Sequence, residues 1–235
     1  IAENPSNNYR REEVDEVRAV VARFVGAEAG EIALTRSTTE GMNIFAHGLD
    51  WKAGDEVIYC SHEHGGGIGV YTTLAKRVGI KPVVIQIPSP PSSVDQIVGL
   101  YEKAITPRTK VIMVSHITYV TGLVTPVKEL AELAHRRGLL ISVDGAHPLG
   151  LMDLDLKAMN VDHYAAAGQK WLMCGTGTGV CYIKREVQDR VWPLMGPPGD
   201  PKDGAKKYEA FGQRDVPSAL GMSADLGLSS TAYGF

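Results

Sequence analysis

The chain has 235 residues, 44% of them hydrophobic and 22% charged, and its 24 Lys and Arg against 27 Asp and Glu give a formal net charge of −3. Such a chain suits one globular core with a small appendage. Its charge carries no field for a polyanion, which excludes nucleic acid as the expected partner, and runs such as Val111-Ile112-Met113-Val114 fall far short of the about 20 apolar residues a membrane helix needs. Cys60, Cys174 and Cys181 form no CxxC and no even framework, which points to a reducing, cytoplasmic setting. The chain opens at Ile1-Ala2-Glu3-Asn4 without an initiator Met or signal pattern; both ends read as incomplete, and export stays open.

A helix-then-strand rhythm follows. Val14, Val17, Val20, Val21 and Phe24 recur at helical spacing over 12–24, and 31–35 reads as a short buried strand. A helix over 38–47, a strand over 56–60, a helix over 68–77 and a strand over 82–87 come next, with Gly79 breaking the last pair. The unit repeats as helix 94–104, strand 110–115, helix 127–137 closed by Gly138, and strand 139–143 ending on Asp144, after which 163–166 and 179–183 are strand-like. This pattern predicts an α/β fold, a doubly wound and mostly parallel sheet with helices on both faces. The domain reading is a large unit over 1–192 followed by a Pro/Gly-rich loop and the start of a further segment over 193–235.

Ligands bind such sheets beyond the carboxyl ends of the strands. Four strand ends carry candidate chemistry: Ser37-Thr38-Thr39, the run from Ser61 to Gly67, Asp144-Gly145-Ala146-His147, and Gly168-Gln169-Lys170-Trp171. The hydroxyls and free N–H groups at Ser37-Thr38-Thr39 suit a phosphate or an ordinary helix cap. Asp144 ends an apolar strand, where a carboxylate needs a cationic or hydrogen-bonding partner. It equally suits a cap for the turn at Gly145. Lys170, followed by Trp171-Leu172-Met173, is expected to be partly desolvated and to offer a neutral amine; a snorkelling surface lysine is the plainer reading. Cys60, His62 and His64 stand at period 2, a spacing that suits zinc, yet no second cluster completes a tetrahedral site. The expected metal content is none, leaving these as loop histidines or a histidine against an organic ring. No G-x-G-x-x-G or G-x-x-x-x-G-K-[ST] supports the rival reading of a non-covalent nucleotide-binding domain.

Five segments in order, Thr-Arg-Ser-Thr-Thr-Glu-Gly (35–41), Glu-His-Gly-Gly (63–66), Ser-His-Ile-Thr (115–118), Asp-Gly-Ala-His (144–147) and Gln-Lys-Trp-Leu (169–172), resemble the class V aminotransferase family of fold-type I pyridoxal-phosphate enzymes. The resemblance runs from about 29 to about 182. It implies the fold-type I large domain with the small C-terminal domain, about 100 to 150 residues on general size priors, largely absent. It implies that Thr38 and Thr39 hold the phosphate of pyridoxal 5′-phosphate, that His64 covers one ring face, that Asp144 pairs with the ring nitrogen, and that His147 lies near the ring's 3′ oxygen. Lys170 would carry the cofactor as a Schiff base and then move the α-proton. Gln169 is the residue directly before it, and Gln213, in a Gly-Gln-Arg loop, would reach the cofactor phosphate of a partner subunit in a homodimer.

Three positions depart from the family pattern. Ala167 replaces the usual Ser or Asn, Gln169 replaces a His, and Tyr119 stands where desulfurases tend to carry Asn. Gln169 and Tyr119 pull the reading away from desulfurase, and the Asp-Gly-Ala-His and Ile-Thr motifs sit closer to the epimerase and aminotransferase branch, acting on the amino group or α-carbon of an amino acid or amino-acid-containing metabolite. A cysteine desulfurase or carbon–sulfur lyase is the alternative, and an inactive scaffold of the same fold is the non-enzymatic one.

Overall fold

A computed structural model describes residues 11–196, 201–210 and 216–232. In chain order the elements are α1 (Arg11–Phe24), β1 (Ile32–Thr35), α2 (Thr38–Gly48), β2 (Glu56–Cys60), α3 (Gly65–Arg77), β3 (Lys81–Ile85), α4 (Val94–Ala104), β4 (Thr109–Ser115), α5 (Val127–Arg136), β5 (Leu140–Gly145), the single-turn α6 (Leu156–Met159), β6 (His163–Ala167), β7 (Gly179–Ile183) and α7 (Val216–Ala232). Seven strands form one sheet in the order β1-β7-β6-β5-β4-β2-β3. Every pair from β3 through β6 is parallel. β7 runs antiparallel to both β6 and β1, so β1 points the same way as β2 to β6, and their carboxyl ends share one edge of the sheet.

The period-2 alternation of the central strands divides the core. Ile58, Ile112, Val114, Ile141 and Val143 face a cluster with Val17 and Val21 of α1, Tyr101 of α4 and Leu130 of α5. Val57, Val111, Met113 and Leu140 face the opposite cluster with Phe45 of α2 and Tyr71 of α3. Burial on both faces is what allows a continuous apolar strand. β3 pairs only with β2 and so lies at an edge, which is where Pro82, lacking an N–H, is tolerated.

Two boundaries differ instructively from the sequence reading. α3 begins at Gly65 rather than 68, because His64 is its N-cap and the imidazole Nδ1 accepts from the Gly66 N–H at 3.0 Å. The stretch over 193–210 is more than a loop. A 3₁₀ segment, Pro201–Glu209, turns at Gly204 (φ 57°) and packs on β1. There the Glu209 carboxylate accepts from the Leu34 N–H at 2.7 Å and pairs with the buried Arg18 of α1, which covers the edge of that strand. Tyr208 donates its hydroxyl to the carbonyls of Gln188 and Val191. α7 continues the theme, burying Met222 and Leu226 in the same cluster as Val17 and Val21.

A buried histidine locks the sheet to α2. His163 Nε2 lies 3.1 Å from the Gly41 carbonyl and Nδ1 lies 2.9 Å from Ser142 Oγ, with the ring stacked on Phe45 at 4.4 Å. A carbonyl only accepts, so Nε2 carries the proton and Nδ1 receives the serine hydroxyl. Burial pushes this imidazole down to about 3, which keeps it neutral at any working pH.

Candidate active site

The carboxyl edge of the sheet gathers the candidate residues. After β1, Ser37 is the N-cap of α2, its Oγ accepting from the Glu40 N–H at 3.1 Å. That leaves the neighbouring hydroxyls for other work. Thr38 is buried and its Oγ1 has no hydrogen-bond partner, although buried hydroxyls are normally satisfied. Thr39 is exposed, and its Oγ1 lies only 2.8 Å from where a Cβ on Gly66 would stand. The α2 N-terminus and the His64 turn therefore adjoin. An anion here would meet the first-turn N–H groups at the positive end of a helix.

After β2 the chain turns. Cys60 points into the core and His64 is exposed, so the extended geometry behind the zinc spacing is not realised; among the described residues no three His, Cys, Asp or Glu side chains could hold a metal ion. His64 meets the exposed Tyr119 edge to face, ring centroids 5.0 Å apart.

Asp144, second to last in β5, is 5% exposed. It accepts from the Ala146 N–H at 3.0 Å, and so it does cap the turn that follows. One backbone donor leaves most of a carboxylate's acceptor capacity unused. Burial pushes this carboxyl up, while the charges of Lys170 and His64 pull it down. A buried carboxylate in that balance gains from a cation placed against it. α3 closes over it: a Cβ on Gly67 would sit 2.7 Å from Asp144 Oδ2, a contact that real Cβ atoms do not make, so only glycine fits there.

The residues around His147 form a turn rather than a helix. Half-buried His147 receives the Trp171 Nε1–H at its Nδ1, 3.1 Å away. An indole only donates. The neutral imidazole therefore carries its proton on Nε2, which faces Lys170 Nζ at 3.3 Å. That contact is a hydrogen bond when the lysine amine accepts, that is, when it is unprotonated. Burial lowers His147, and positive charge on Lys170 or His64 acts in the same direction, in agreement with a neutral ring.

Of the two readings of Lys170, the structure bears out the plainer surface one and departs from the desolvated one. It is exposed, as are Trp171 and Met173, the latter at 71%; only Leu172 of the apolar trio turns inward. Trp171 and Met173 lie on the β6–β7 loop, beyond the sheet edge, and stay open to solvent. Gln169 is half-buried with its Oε1 buried and unpartnered, a second orphan acceptor beside the lysine. Gln213 lies outside the described residues. Thr38, Thr39, His64, Asp144, His147, Gln169 and Lys170 thus share one edge.

Sequence reasoning passed over a further carboxylate. Glu63 is 5% exposed, accepts from Cys60 Sγ at 3.1 Å and from Ser115 Oγ, and burial pushes it up to about 7. An acidic residue three positions after the end of an apolar strand was the available signal. Below Asp144, His116 Nδ1 lies 2.9 Å from the Tyr164 hydroxyl, both buried, and burial drives the imidazole down to about 4.

The family model for aminotransferase class-V matches residues 6–219. The chain belongs to that family. Among curated relatives of this class V chain, isopenicillin N epimerase of Streptomyces clavuligerus is 30% identical over 234 residues, covering 90% of this chain and 59% of the relative. A probable cysteine desulfurase of Methanothermobacter thermautotrophicus is 32% identical over 221 residues, covering 93% and 54%. The chain thus spans little more than half the length of these relatives. The fold agrees with solved class V structures: the cystine C–S lyase C-DES in complex with its product cysteine persulfide matches with a TM-score of 0.88 at 26% identity, over 97% of this chain and 64% of that one. A C-DES mutant with glycine covalently linked to its PLP cofactor matches with the same TM-score at 25% identity. The doubly wound sheet is accordingly that of the fold-type I large domain.

Proposed function

We propose that this chain is the cofactor-binding part, over 1–192, of a pyridoxal 5′-phosphate enzyme acting on the amino group or α-carbon of an amino acid or amino-acid-containing metabolite. One observation carries the reading: an accessible lysine amine lies 3.3 Å from His147 Nε2 and within electrostatic reach of the buried Asp144 carboxylate. The orphan acceptors and donors fit the group. Thr38 Oγ1 and the α2 N-terminus offer a phosphate site, Asp144 a partner for a ring N–H, the exposed His64 a cover for one ring face, and Gln169 Oε1 an acceptor beside the lysine. Bound, the cofactor supplies an electron sink for a carbanion at the substrate α-carbon. Lys170 Nζ would hold the cofactor and carry the α-proton, His147 Nε2 would orient that amine, and Asp144 would hold a proton at the ring nitrogen. Relatives include an epimerase, desulfurases and a C–S lyase, and Tyr119 at the edge of His64 together with Gln169 supports the epimerase and aminotransferase branch.

The expected result is a visible absorption band in purified protein that borohydride abolishes, with a pyridoxyl adduct on the peptide containing Lys170. Amino-acid substrates should then exchange their α-proton for solvent deuterium without releasing sulfide from cysteine. An adduct on another lysine would overturn the site, and sulfide release would move the function to the desulfurase reading.

The same proposal includes a homodimer in which Gln213 reaches the partner's cofactor phosphate. Exposed apolar groups at the rim, Tyr119 (55%), Val120, Val124, Trp171 and Met173, support it, since apolar surface clustered at a site marks an interface. Dilution should therefore release cofactor and activity together, and a monomer with full cofactor occupancy in sedimentation would refute the dimer. A cytoplasmic location is part of this reading and is supported by three buried free thiols. No helix among the described residues is long and apolar enough to cross a membrane.

A further inference from the structure

Behind the residues already assigned lies a carboxylate with no role in them. Glu63 stands between Cys60, the last residue of β2, and His64, the cap of α3. Its Oε1 receives the Cys60 thiol and its Oε2 the hydroxyl of Ser115, 52 residues away at the end of β4. Ser115 is the register partner of Asp144 in the β4–β5 ladder, and the next residue, His116, donates its N–H to the Asp144 carbonyl at 2.9 Å. A single side chain thus spans from the His64 turn to the strand pair that carries Asp144.

We propose that Glu63 is a positioning residue of the site, one that straps the His64 turn to β4 and whose charge acts on Asp144, so that its proton state sets how strongly the site receives a cationic ring. This rests on the cofactor reading above. The titratable groups that face Glu63 are Tyr59 and Cys60 on β2, Tyr71 on α3, Tyr101 on α4 and Asp144 on β5, with His62 and His64 flanking it in the turn. The facing groups from neighbouring elements are neutral or anionic. Burial and the Asp144 charge favour the protonated form, whereas the two donors favour the carboxylate, and the balance falls at about 7. Two carboxylates in one dry region cannot both ionise freely. A cation against Asp144 relieves that conflict, and an ionised Glu63 strengthens the pull on it.

The test uses the full chain freed of cofactor and pyridoxamine 5′-phosphate, which has the ring nitrogen and phosphate but no aldehyde. Affinity is measured by tryptophan fluorescence from pH 5.5 to 8.5 for wild type and Glu63→Gln, which keeps shape without charge. Taking the ratio of the two cancels titration of the probe itself. That ratio should rise about tenfold in favour of wild type as pH increases through 7, the scale of a one-unit coupling. Isotope-edited infrared spectra of the free chain should show a glutamic acid carbonyl band that titrates near 7 and is missing in Glu63→Gln. Ser115→Ala, which removes one donor to the carboxylate, should move that midpoint up. A pH-independent ratio, or a midpoint indifferent to Ser115→Ala, would show that Glu63 is only a structural strap. Failure of wild type to bind the probe at all would overturn the cofactor reading first, and the charge role with it.

Discussion

Lys170→Ala should lower turnover by about 10⁴-fold or more while leaving the fold untouched. On the proposed roles, two functions would end together: the amine that would hold the cofactor, and the base that would carry the α-proton. General acid–base catalysis alone contributes about 10²–10⁴, and covalent attachment adds to it. The exposure of Lys170 turns into a control here. The side chain is exposed and its one hydrogen-bond-range partner is His147 at 3.3 Å, and exposed substitutions away from packed features typically change stability by less than about 0.5 kcal/mol. Thermal unfolding of the variant should therefore match wild type, and its borohydride-trapped adduct should be absent. Lys170→Arg should be equally inactive, because a guanidinium keeps its charge at every working pH and cannot accept from the Nε2–H of His147. Small exogenous amines should restore part of the rate to Lys170→Ala alone, since only that variant leaves space where the amine stood. A variant with turnover within tenfold of wild type would remove Lys170 from the chemistry.

How far the sequence carried these conclusions depends on whether the deciding contacts are local. The central strands were readable because buried parallel strands are continuous apolar runs, and Asp144 stood out because a carboxylate at the end of Leu140-Ile141-Ser142-Val143 needs a partner, although the cap it makes at Ala146 accounted for it equally well. Ser37 as a cap followed from local hydrogen-bonding rules. The antiparallel insertion of β7 between β1 and β6 was not readable, because pairing partners are fixed by sheet closure across about 150 residues rather than by local pattern. The desolvated reading of Lys170 failed, and its surface alternative held, for a related reason. Apolar sequence neighbours do not bury a lysine when they sit on a loop past the sheet edge, and Trp171 spends its N–H on His147 instead of packing inward. Glu63 went unassigned because its burial depends on Ser115, a partner set by strand order. Likewise the segment over 201–210 looked like a Pro/Gly loop, but one acid, Glu209, pairs with Arg18 and caps the edge of β1.

Asp144→Asn should separate stability from function in opposite directions. The amide keeps the shape and can still accept the Ala146 N–H at 3.0 Å, so the turn survives. Burial raises the Asp144 carboxyl in the folded chain. Between the ordinary carboxylate range and that raised value the folded chain holds a proton that the unfolded chain has lost, so the stability of the cofactor-free protein falls as pH rises through this window. Removing the charge removes that cost, and cofactor-free Asp144→Asn should unfold at or above the wild-type temperature at pH 7. Turnover should fall by about 10²–10⁴, since losing one side of a buried ion pair costs about 3–5 kcal/mol and each 1.36 kcal/mol is worth about a factor of ten in rate. Cofactor retention should change much less, because on the proposed reading the phosphate end would be held separately by Thr38 and the α2 N-terminus. The stabilisation gained on adding cofactor, measured as the rise in unfolding temperature, should accordingly be smaller in the variant than in wild type but still present. A variant that is less stable than wild type without cofactor, yet turns over normally, would mean that Asp144 serves only to cap the turn at Ala146.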